Sequence, residues 1–196
     1  MSEGIGARVL RKEDKRFITG KGRYTDDIIE ANQAYAAFVR SPHAHARIVS
    51  LDTSAALAME GVETVLTGPE LVADGIGNII CGWGITSKDG TPMNMGAWSA
   101  LATEKVRYVG DAVAIVVADS KSQAQLAAEA VVVTYEELPV VVGSVEALAP
   151  NAPKIHDNAP GNVIFDWEIG DLAPTDAALA SAAHVTEMEI TNNRLA

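Results

Sequence analysis

The chain has 196 residues, of which 48% are hydrophobic and 5% aromatic, and its formal net charge at pH 7 is −11. A chain of this length can bury a core, here built mainly from small Ala and Val side chains, while the acidic balance disfavours binding to nucleic acid or anionic lipid. The single cysteine, Cys81, excludes an intrachain disulfide and an iron–sulfur cluster held by this polypeptide alone.

Residues 1–33 are predicted to form an extended N-terminal arm with a short helix near Arg11–Phe17, because glycines punctuate this polar stretch. A large share of the basic side chains lies there: Arg8, Arg11, Lys12, Lys15, Arg16, Lys21 and Arg23. Since Glu13 and Asp14 interrupt them, we expect a solvated or partner-facing arm. No secretory signal and no run of about 20 apolar residues is recognisable, so a cytoplasmic location is expected.

Three short strands are predicted next, at residues 34–39, 46–51 and 62–66. Ser41-Pro42 separates the first two, because proline lacks the amide donor that strand pairing needs. Asp52 and Thr53 are suitable caps for a helix over residues 54–59. The second strand, this helix and the third strand together have the size of a crossover unit. Another short helix is predicted at residues 70–73.

Residues 74–103 are predicted to form a long loop, because six glycines interrupt scattered apolar residues there. Loops of this length are uncommon in compact domains and are usually functional or docked against another surface. The loop contains the large apolar side chains Trp83, Met93, Met95 and Trp98. Their exposure would favour docking.

Regular structure is predicted to resume at a short strand, residues 105–108. The unbroken apolar run Ala112–Ala118 predicts a central strand covered on both faces. Ser120 and Gln123 form a capping box ahead of a helix with one apolar face, and residues 131–135 then return to the sheet. A further apolar run follows at residues 140–142. The predicted fold class is α+β, a mixed sheet with a few packed helices.

The last part of the chain begins with two proline-containing bends, at residues 149–153 and 159–162. Alternating apolar and polar residues predict strands at 163–169 and 186–190, and Pro174 suits the first turn of a helix that reaches about Ala183. We therefore expect an arm at 1–33, a domain at 34–149 and a separate segment at 150–196. Because the sequence stops directly after the last predicted strand, a fragment of a longer protein is expected.

Two local patterns resemble ligand sites without the necessary context. His43-x-His45 resembles a metal-binding pair, but no third ligand has a matching spacing, so a structural turn is the better interpretation. Gly20-x-Gly22 and Gly75-x-Gly77 resemble phosphate-binding loops, but neither lies between a strand and an amphipathic helix.

Nucleophiles and acid–base pairs are equally weak. Adjacent carboxylates occur at Asp26-Asp27 and Glu136-Glu137, but neighbours on an extended chain point apart. No Gly-x-Ser-x-Gly sequence marks a nucleophilic serine, and nothing basic adjoins Cys81 in sequence, which favours an inert packing role for its thiol. No catalytic, cofactor-binding or metal-binding residue is therefore predicted.

Five segments occur in a characteristic order: residues 17–27 (FITGKGRYTDD), 40–48 (RSPHAHARI), 106–114 (VRYVGDAVA), 128–139 (AE followed by VTYEELP) and 170–195 (GD before an alanine-rich helix, then NNRL). In this order they resemble the N-terminal a/b hammerhead domain of molybdenum hydroxylase large subunits, the xanthine dehydrogenase, aldehyde oxidase and carbon monoxide dehydrogenase type. Within that family, they resemble the bacterial carbon monoxide dehydrogenase branch. The resemblance implies a hammerhead fold for residues 34–149.

The resemblance also implies an activity for the intact enzyme. There, molybdenum held by molybdopterin hydroxylates an aldehyde, an N-heterocycle or a carbon monoxide type of substrate, and electrons pass through two [2Fe–2S] clusters to FAD. In bacterial members a small and a medium subunit often carry the clusters and the flavin. The molybdopterin-contacting loops and the catalytic glutamate lie downstream of this domain, and nothing in residues 1–196 matches them.

The chain alone is therefore expected to bind no cofactor and to be inactive, because the cofactor carries the chemistry in such enzymes. We expect a structural and docking portion that packs against the molybdopterin domain and the partner subunits, with no nucleic-acid or membrane partner. The alternative is a stand-alone binding module that uses the loop at 74–103.

Overall fold

The computed structural model describes residues 4, 6 and 9–190. Its strands are β1 Tyr35–Arg40, β2 Ala46–Asp52, β3 Val62–Thr67, β4 Lys105–Val106, β5 Ala112–Ala118 and β6 Val132–Glu137. Its helices are α1 Asp14–Ile18, α2 Ser54–Leu57, α3 Gly68–Ala73, α4 Lys121–Ala130, α5 Ser144–Ala147 and α6 Leu172–Ala180. Arg8 of the basic arm and residues 192–195 of the last family segment lie outside the described residues.

The chain divides into two compact units. The first unit comprises Met1–Ile76 and Ala100–Leu138, and the second comprises Gly77–Ser99 and Pro139–Ala196. Strands β1 to β6 all lie in the first unit, together with helices α1 to α4. Residues 77–99 of the long predicted loop therefore belong to a different unit from the strands that flank the loop in sequence, whereas both ends of the loop belong to the first unit.

The first unit contains two three-stranded sheets, with the strand orders β1-β5-β3 and β4-β2-β6. Every strand pair is antiparallel. The α+β hammerhead class with a few packed helices is confirmed. The strands form two small antiparallel sheets where the sequence predicted one mixed sheet. Strand β5 is the central strand of its sheet, as predicted.

The predicted crossover unit is wrong. Strands β2 and β3 flank helix α2 in sequence but belong to different sheets. The connection, residues 53–61, is shorter than the roughly dozen residues that a crossover between parallel strands needs. It therefore leads the chain from one antiparallel sheet into the other.

The core is built from small side chains, as the composition predicted. Its largest fully buried side chains are Val106, Val113 and Val116. Val116 on β5 packs in a cluster with Ala127 of α4, whereas Val113 packs in a second cluster with Val106 of β4. Val113 and Val116 are three positions apart on the strand, so their side chains point to opposite faces. Strand β5 is therefore covered on both faces, which confirms the prediction from its unbroken apolar run.

Helix α4 begins with the predicted Ser120 cap, but the reciprocal bond of the predicted capping box is not found among the described residues, because the Gln123 side chain bonds to the Glu60 carbonyl and the Ser120 hydroxyl. The Ser120 side-chain oxygen accepts a hydrogen bond from the Gln123 amide at 3.3 Å, which satisfies one of the free amides at the helix start. Ala124 and Ala127 are buried on the face that meets β1 and β5. The capped helix thus closes one side of the larger core cluster.

The second unit has little regular structure. Residues 74–103 form no helix or strand, which confirms the predicted loop; one isolated bridge joins Thr86 and Pro92. The predicted strands at 163–169 and 186–190 are absent, and residues 140–142 are also irregular. Helix α6 forms near the predicted position. Among the described residues, no helix is both long enough and apolar enough to span a membrane.

Candidate functional site

The family segments 40–48 and 106–114 meet where β1 ends and β5 begins. The Ser41 amide donates to the Asp111 carbonyl at 2.8 Å, and the Gly110 amide donates to the Ser41 carbonyl at 2.8 Å. Gly110 has a φ of +93°, a conformation that side-chain-bearing residues rarely adopt. The glycine of the second segment is therefore required for its close pairing with the first.

Side chains extend this pairing into what we term the Ser41–Asp111 network, formed by Arg40, Ser41, Tyr108, Gly110, Asp111 and Tyr135. The Arg40 guanidinium donates to the Gly110 carbonyl at 2.8 Å. The Asp111 carboxylate accepts from the Arg107 amide at 3.0 Å and is hydrogen-bonded to Tyr108. These bonds stabilise the turn before β5.

Two tyrosines of the network have altered acidity. Burial raises the pKa of the Tyr135 phenol, and the Asp111 charge adds to this effect, while a hydrogen bond with Ser41 opposes it. Burial also raises the pKa of Tyr108, reinforced by the charge of Asp111 and by the hydrogen bond with it. Both phenols thus stay protonated at neutral pH and serve as hydrogen-bonding groups. Neither tyrosine therefore supplies a base to the network.

The His43-x-His45 pair lies in the bend beside this network. The His43 ring packs on the Tyr135 ring, with 4.9 Å between the ring centroids, and the His43 Nδ1 lies 3.4 Å from the Glu137 carboxylate. His45 is buried, and its carbonyl accepts from the Leu138 amide at 3.0 Å. The two rings thus have different surroundings, which supports the predicted structural turn.

The adjacent carboxylate pairs do not converge. Glu136 pairs with Arg47 at 2.9 Å across β2 and β6, while Glu137 faces His43. Asp26 pairs with Lys121 at 3.1 Å. Among the described residues, no three His, Cys, Asp or Glu side chains are grouped in a way that could hold a metal ion.

The glycine pairs end helices. Gly20 follows α1 with a φ of +69°, and the Lys21 amide donates back to the Arg16 carbonyl. Gly75 follows α3 with a φ of +78°, in the same kind of helix end. A structural role at a helix end therefore accounts for the first glycine of each pair, Gly20 and Gly75.

The packing role expected for Cys81 is wrong. Its side chain is exposed, and its sulfur lies 3.3 Å from the Trp83 carbonyl. Trp83 itself is 81% exposed. The apolar residues around this thiol thus do not form a core that buries it.

The second unit contains a cleft of about 660 Å³ lined by residues from 87–94 and 160–166. The Lys88 amide donates to the Asp166 carbonyl at 2.8 Å, and their side chains form an ion pair at 2.9 Å. This pairing raises the pKa of Lys88, first through the hydrogen bond to Asp166 and then through its charge. Asn94 and Asn158 also bond to each other. Sequence reasoning missed these contacts, because no local pattern links residues so far apart.

The described residues do not fit a molybdopterin. A pterin phosphate needs donors free to receive it. Lys88, which lines the cleft of about 660 Å³, is already paired with Asp166, and Lys121, which lines a second cleft formed by residues of β1 and α4, is already paired with Asp26. A [2Fe–2S] cluster is held by four cysteine thiolates or by two thiolates and two histidines, and the sequence contains one cysteine. No reaction step is therefore assigned to these residues.

Comparison with known proteins gives a family match. The family model for the aldehyde oxidase and xanthine dehydrogenase a/b hammerhead domain matches residues 19–139. This range includes the whole Ser41–Asp111 network and all six strands. The first four family segments, up to Leu138, therefore lie in the first unit, whereas the fifth, at 170–195, lies in the second unit and outside the matched range.

Individual relatives extend the similarity beyond that range. The carbon monoxide dehydrogenase large chain of Hydrogenophaga pseudoflava is 41% identical over 91% of this chain and 22% of its own length. The crystal structure of quinoline 2-oxidoreductase from Pseudomonas putida 86 is 38% identical, with a TM-score of 0.71 over 92% of this chain and 22% of that chain. A Cu,Mo carbon monoxide dehydrogenase structure is 38% identical, with a TM-score of 0.65 over 92% of this chain and 23% of that chain. This chain thus spans less than a quarter of each.

Proposed function

Because the chain belongs to the aldehyde oxidase and xanthine dehydrogenase a/b hammerhead family, we propose that it is the N-terminal structural and docking portion of a molybdopterin-dependent oxidoreductase large subunit. The intact enzyme would hydroxylate an aldehyde, an N-heterocycle or a substrate of the carbon monoxide type. One observation carries the proposal. The Ser41–Asp111 network lies wholly within the family match, and its polar groups bond to one another.

The chain alone is proposed to be inactive. Support comes from the poor fit between the described residues and a molybdopterin, and from the pairing of the cleft-lining cations Lys88 and Lys121. The functional division we propose is an arm at 1–33, the hammerhead domain at 34–149, and a segment at 150–196 that leads to the molybdopterin-binding portion.

The proposed partners are the molybdopterin-binding remainder of the large subunit, an iron–sulfur small subunit and an FAD medium subunit. The name of one relative, carbon monoxide dehydrogenase large chain, supports an assembly of several chains. The single cysteine supports clusters held elsewhere. A cytoplasmic location is part of this proposal, as is the lack of nucleic-acid or membrane partners, which the net charge of −11 supports.

Molybdenum and pterin analysis of the purified chain tests the inactivity. We expect far less than one molybdenum atom per chain and no substrate oxidation, with the intact H. pseudoflava enzyme as the positive control. Stoichiometric molybdenum together with turnover would contradict the proposal.

Pull-down tests the docking role. We expect the chain to retain the small or medium subunit of the H. pseudoflava enzyme, with that enzyme's own large chain as the positive control. Failure to retain either subunit would contradict docking to these partners.

A stand-alone binding module is the second candidate, and the second-unit cleft favours it. The volume of about 660 Å³ lies within the range of small-molecule sites. Residues 87–94 of the predicted loop line this cleft. Tight binding of a small molecule, weakened in Phe165→Ala, together with failure in the pull-down, would favour this candidate.

A further inference from the structure

Residues 163–169 have the sequence of a strand but form none within the described residues. Their apolar side chains alternate, and all are exposed: Val163 38%, Phe165 40%, Trp167 55% and Ile169 79%. Four exposed apolar side chains on alternate positions form a continuous face when the backbone is extended. Such a face is stable in water only when something covers it.

One backbone edge of this segment is already occupied. The Ile164 carbonyl accepts from the Asn94 amide at 2.8 Å, and the Asp166 carbonyl accepts from the Lys88 amide at 2.8 Å. The Asp166 amide donates to the Ser87 hydroxyl at 3.1 Å. Residues 164 and 166 thus point their backbone groups to the same side, as alternate residues of an extended strand do.

The opposite backbone edge is open. The amides and carbonyls that point to it belong to Phe165, Trp167 and Ile169, and none of them bonds to another described residue. Unpaired backbone groups in a row form a template for the addition of a strand. The segment therefore combines an open edge with an uncovered apolar face.

Residues 185–190 repeat these properties. Met188 is 74% exposed and Ile190 is 76% exposed, and the acidic residues Glu187 and Glu189 alternate with them. No backbone group of this segment bonds to another described residue. An isolated strand is not stable in water, because its pairing partners are missing.

The polar positions of both segments carry one sign of charge: Asp166, Glu168, Glu187 and Glu189. Lys88 pairs with Asp166, and no other ion pair to these carboxylates occurs among the described residues. Facing side chains on neighbouring strands are favourable when their charges are opposite. A strand paired with these segments should therefore carry Lys or Arg opposite the acidic positions and apolar side chains opposite the others.

We propose that residues 163–169 and 185–190 become β-strands by pairing with the molybdopterin-binding portion of the large subunit. This inference rests on the proposed function, and it names the surface and the mode of contact. The molybdopterin-binding portion is the expected partner because the chain spans only 22% of the carbon monoxide dehydrogenase large chain, so that relative carries a long further portion. That portion supplies the missing strands, whether on the same polypeptide or on a separate one.

Co-expression tests the proposal with a defined probe, the part of the H. pseudoflava large chain that this chain does not match. The same probe co-expressed with its own matched region is the positive control for folding of the probe. In the complex we expect amide hydrogen exchange at Phe165, Trp167 and Ile169 to slow by at least about tenfold, because strand pairing protects these amides. The amides of β5 should be unchanged.

A variant pair separates strand pairing from general apolar contact. Trp167→Asp should weaken the complex by at least about tenfold, as expected for an aromatic residue buried at an interface. Leu179→Asp on α6 is the matched control, since Leu179 is 53% exposed and lies in the same unit. Its complex should stay within about twofold of the wild type, which is the range of a neutral interface position.

The outcomes distinguish the inference from the proposed function. If a complex forms without slowed exchange, or if both variants weaken it equally, strand pairing is wrong while the docking function stands. If no complex forms while the positive control assembles, both are overturned.

Discussion

Asp111 illustrates how single residues of the family segments act on the fold. Its carboxylate accepts from the Arg107 amide, and its backbone pairs with Ser41. The resemblance identified the segment that contains it, but no local pattern in the sequence assigned Asp111 a role. That role depends on Ser41, which is distant in sequence and adjacent in the structure.

Replacing Asp111 by Ala should destabilise the first unit. We expect a loss of about 1–3 kcal/mol, because the Arg107 amide and the Tyr108 phenol lose their acceptor. Denaturant unfolding followed by far-ultraviolet circular dichroism measures this loss. Glu63→Ala, at an exposed position of β3, is the control and should change the stability by less than about 0.5 kcal/mol. Equal losses in the two variants would contradict the role of Asp111.

Stability should fall at alkaline pH because the pKa values of Tyr108 and Tyr135 are raised in the folded state. The unfolded phenol ionises near pH 10, so the contribution is present below about pH 10 and is lost as the pH rises through the folded-state values. Tyr135→Phe should therefore show a shallower decline in melting temperature between about pH 9 and pH 11. Tyr24→Phe, on a side chain 61% exposed, is the control. An unchanged slope in Tyr135→Phe would refute the argument.

Cys81 shows the limit of sequence reasoning at the residue scale. The small side chains of the core were predictable from composition, because Ala and Val dominate the apolar segments. Cys81 also lies among apolar residues, but Ile80 beside it is 88% exposed. Burial depends on tertiary packing, which neighbours in the sequence do not reveal.

Among the elements, β5 was the most predictable. Its unbroken apolar run required cover on both faces, and it lies at the centre of its sheet. The division of the strands into two sheets was not predictable, because alternation identifies a strand without identifying its neighbours. The pairing of β2 with β6 joins strands that are far apart in sequence.

The central position of β5 predicts a large effect at Val116. Val116→Ala should destabilise the first unit by about 2 kcal/mol, because it removes two methyl groups from a fully buried site and leaves a cavity. Val132→Ala in β6 is the matched control, since Val132 is 60% exposed and loses the same strand propensity. A difference of less than about 0.5 kcal/mol between the two free energies of unfolding would contradict the cavity argument.

The cap of α4 was predicted from the sequence and is present. Ser120→Ala should cost about 1 kcal/mol of stability, because the Gln123 amide loses its acceptor. Gln125→Ala at an exposed position of the same helix keeps the cap and is the control. Thermal unfolding of the two variants provides the measurement, and a smaller effect at Ser120 than at Gln125 would exclude the capping role.

At the scale of the whole molecule, the two units differ in how much of their structure was predictable from the sequence. The first unit follows from apolar periodicity and from the family segments. The second unit is held by contacts such as Lys88 with Asp166 and Asn94 with Asn158, which join an irregular loop to a distant segment. The predicted strands at 163–169 and 186–190 are absent: residues 164 and 166 bond only to an irregular segment at 87–94, and residues 185–190 have no backbone bond to another described residue.

The difference between the units predicts where a protease cuts first. Glu-C should cleave after Glu187 or Glu189 at least about tenfold faster than after Glu136, because protected backbone must open before cleavage. Glu136 lies in β6 and pairs with β2, whereas residues 185–190 have no backbone bond to another described residue. Mass spectrometry of early digests identifies the cut sites. Early cleavage at Glu136 would contradict the assigned stability order.

The positions of the aromatic residues have a spectroscopic consequence. The three tryptophans, Trp83, Trp98 and Trp167, all lie in the second unit, whereas the six strands lie in the first. Intrinsic indole emission therefore observes only the second unit, and the amide chromophores of the strands observe mainly the first. Two optical signals from one unlabelled sample can thus follow the melting of each unit separately.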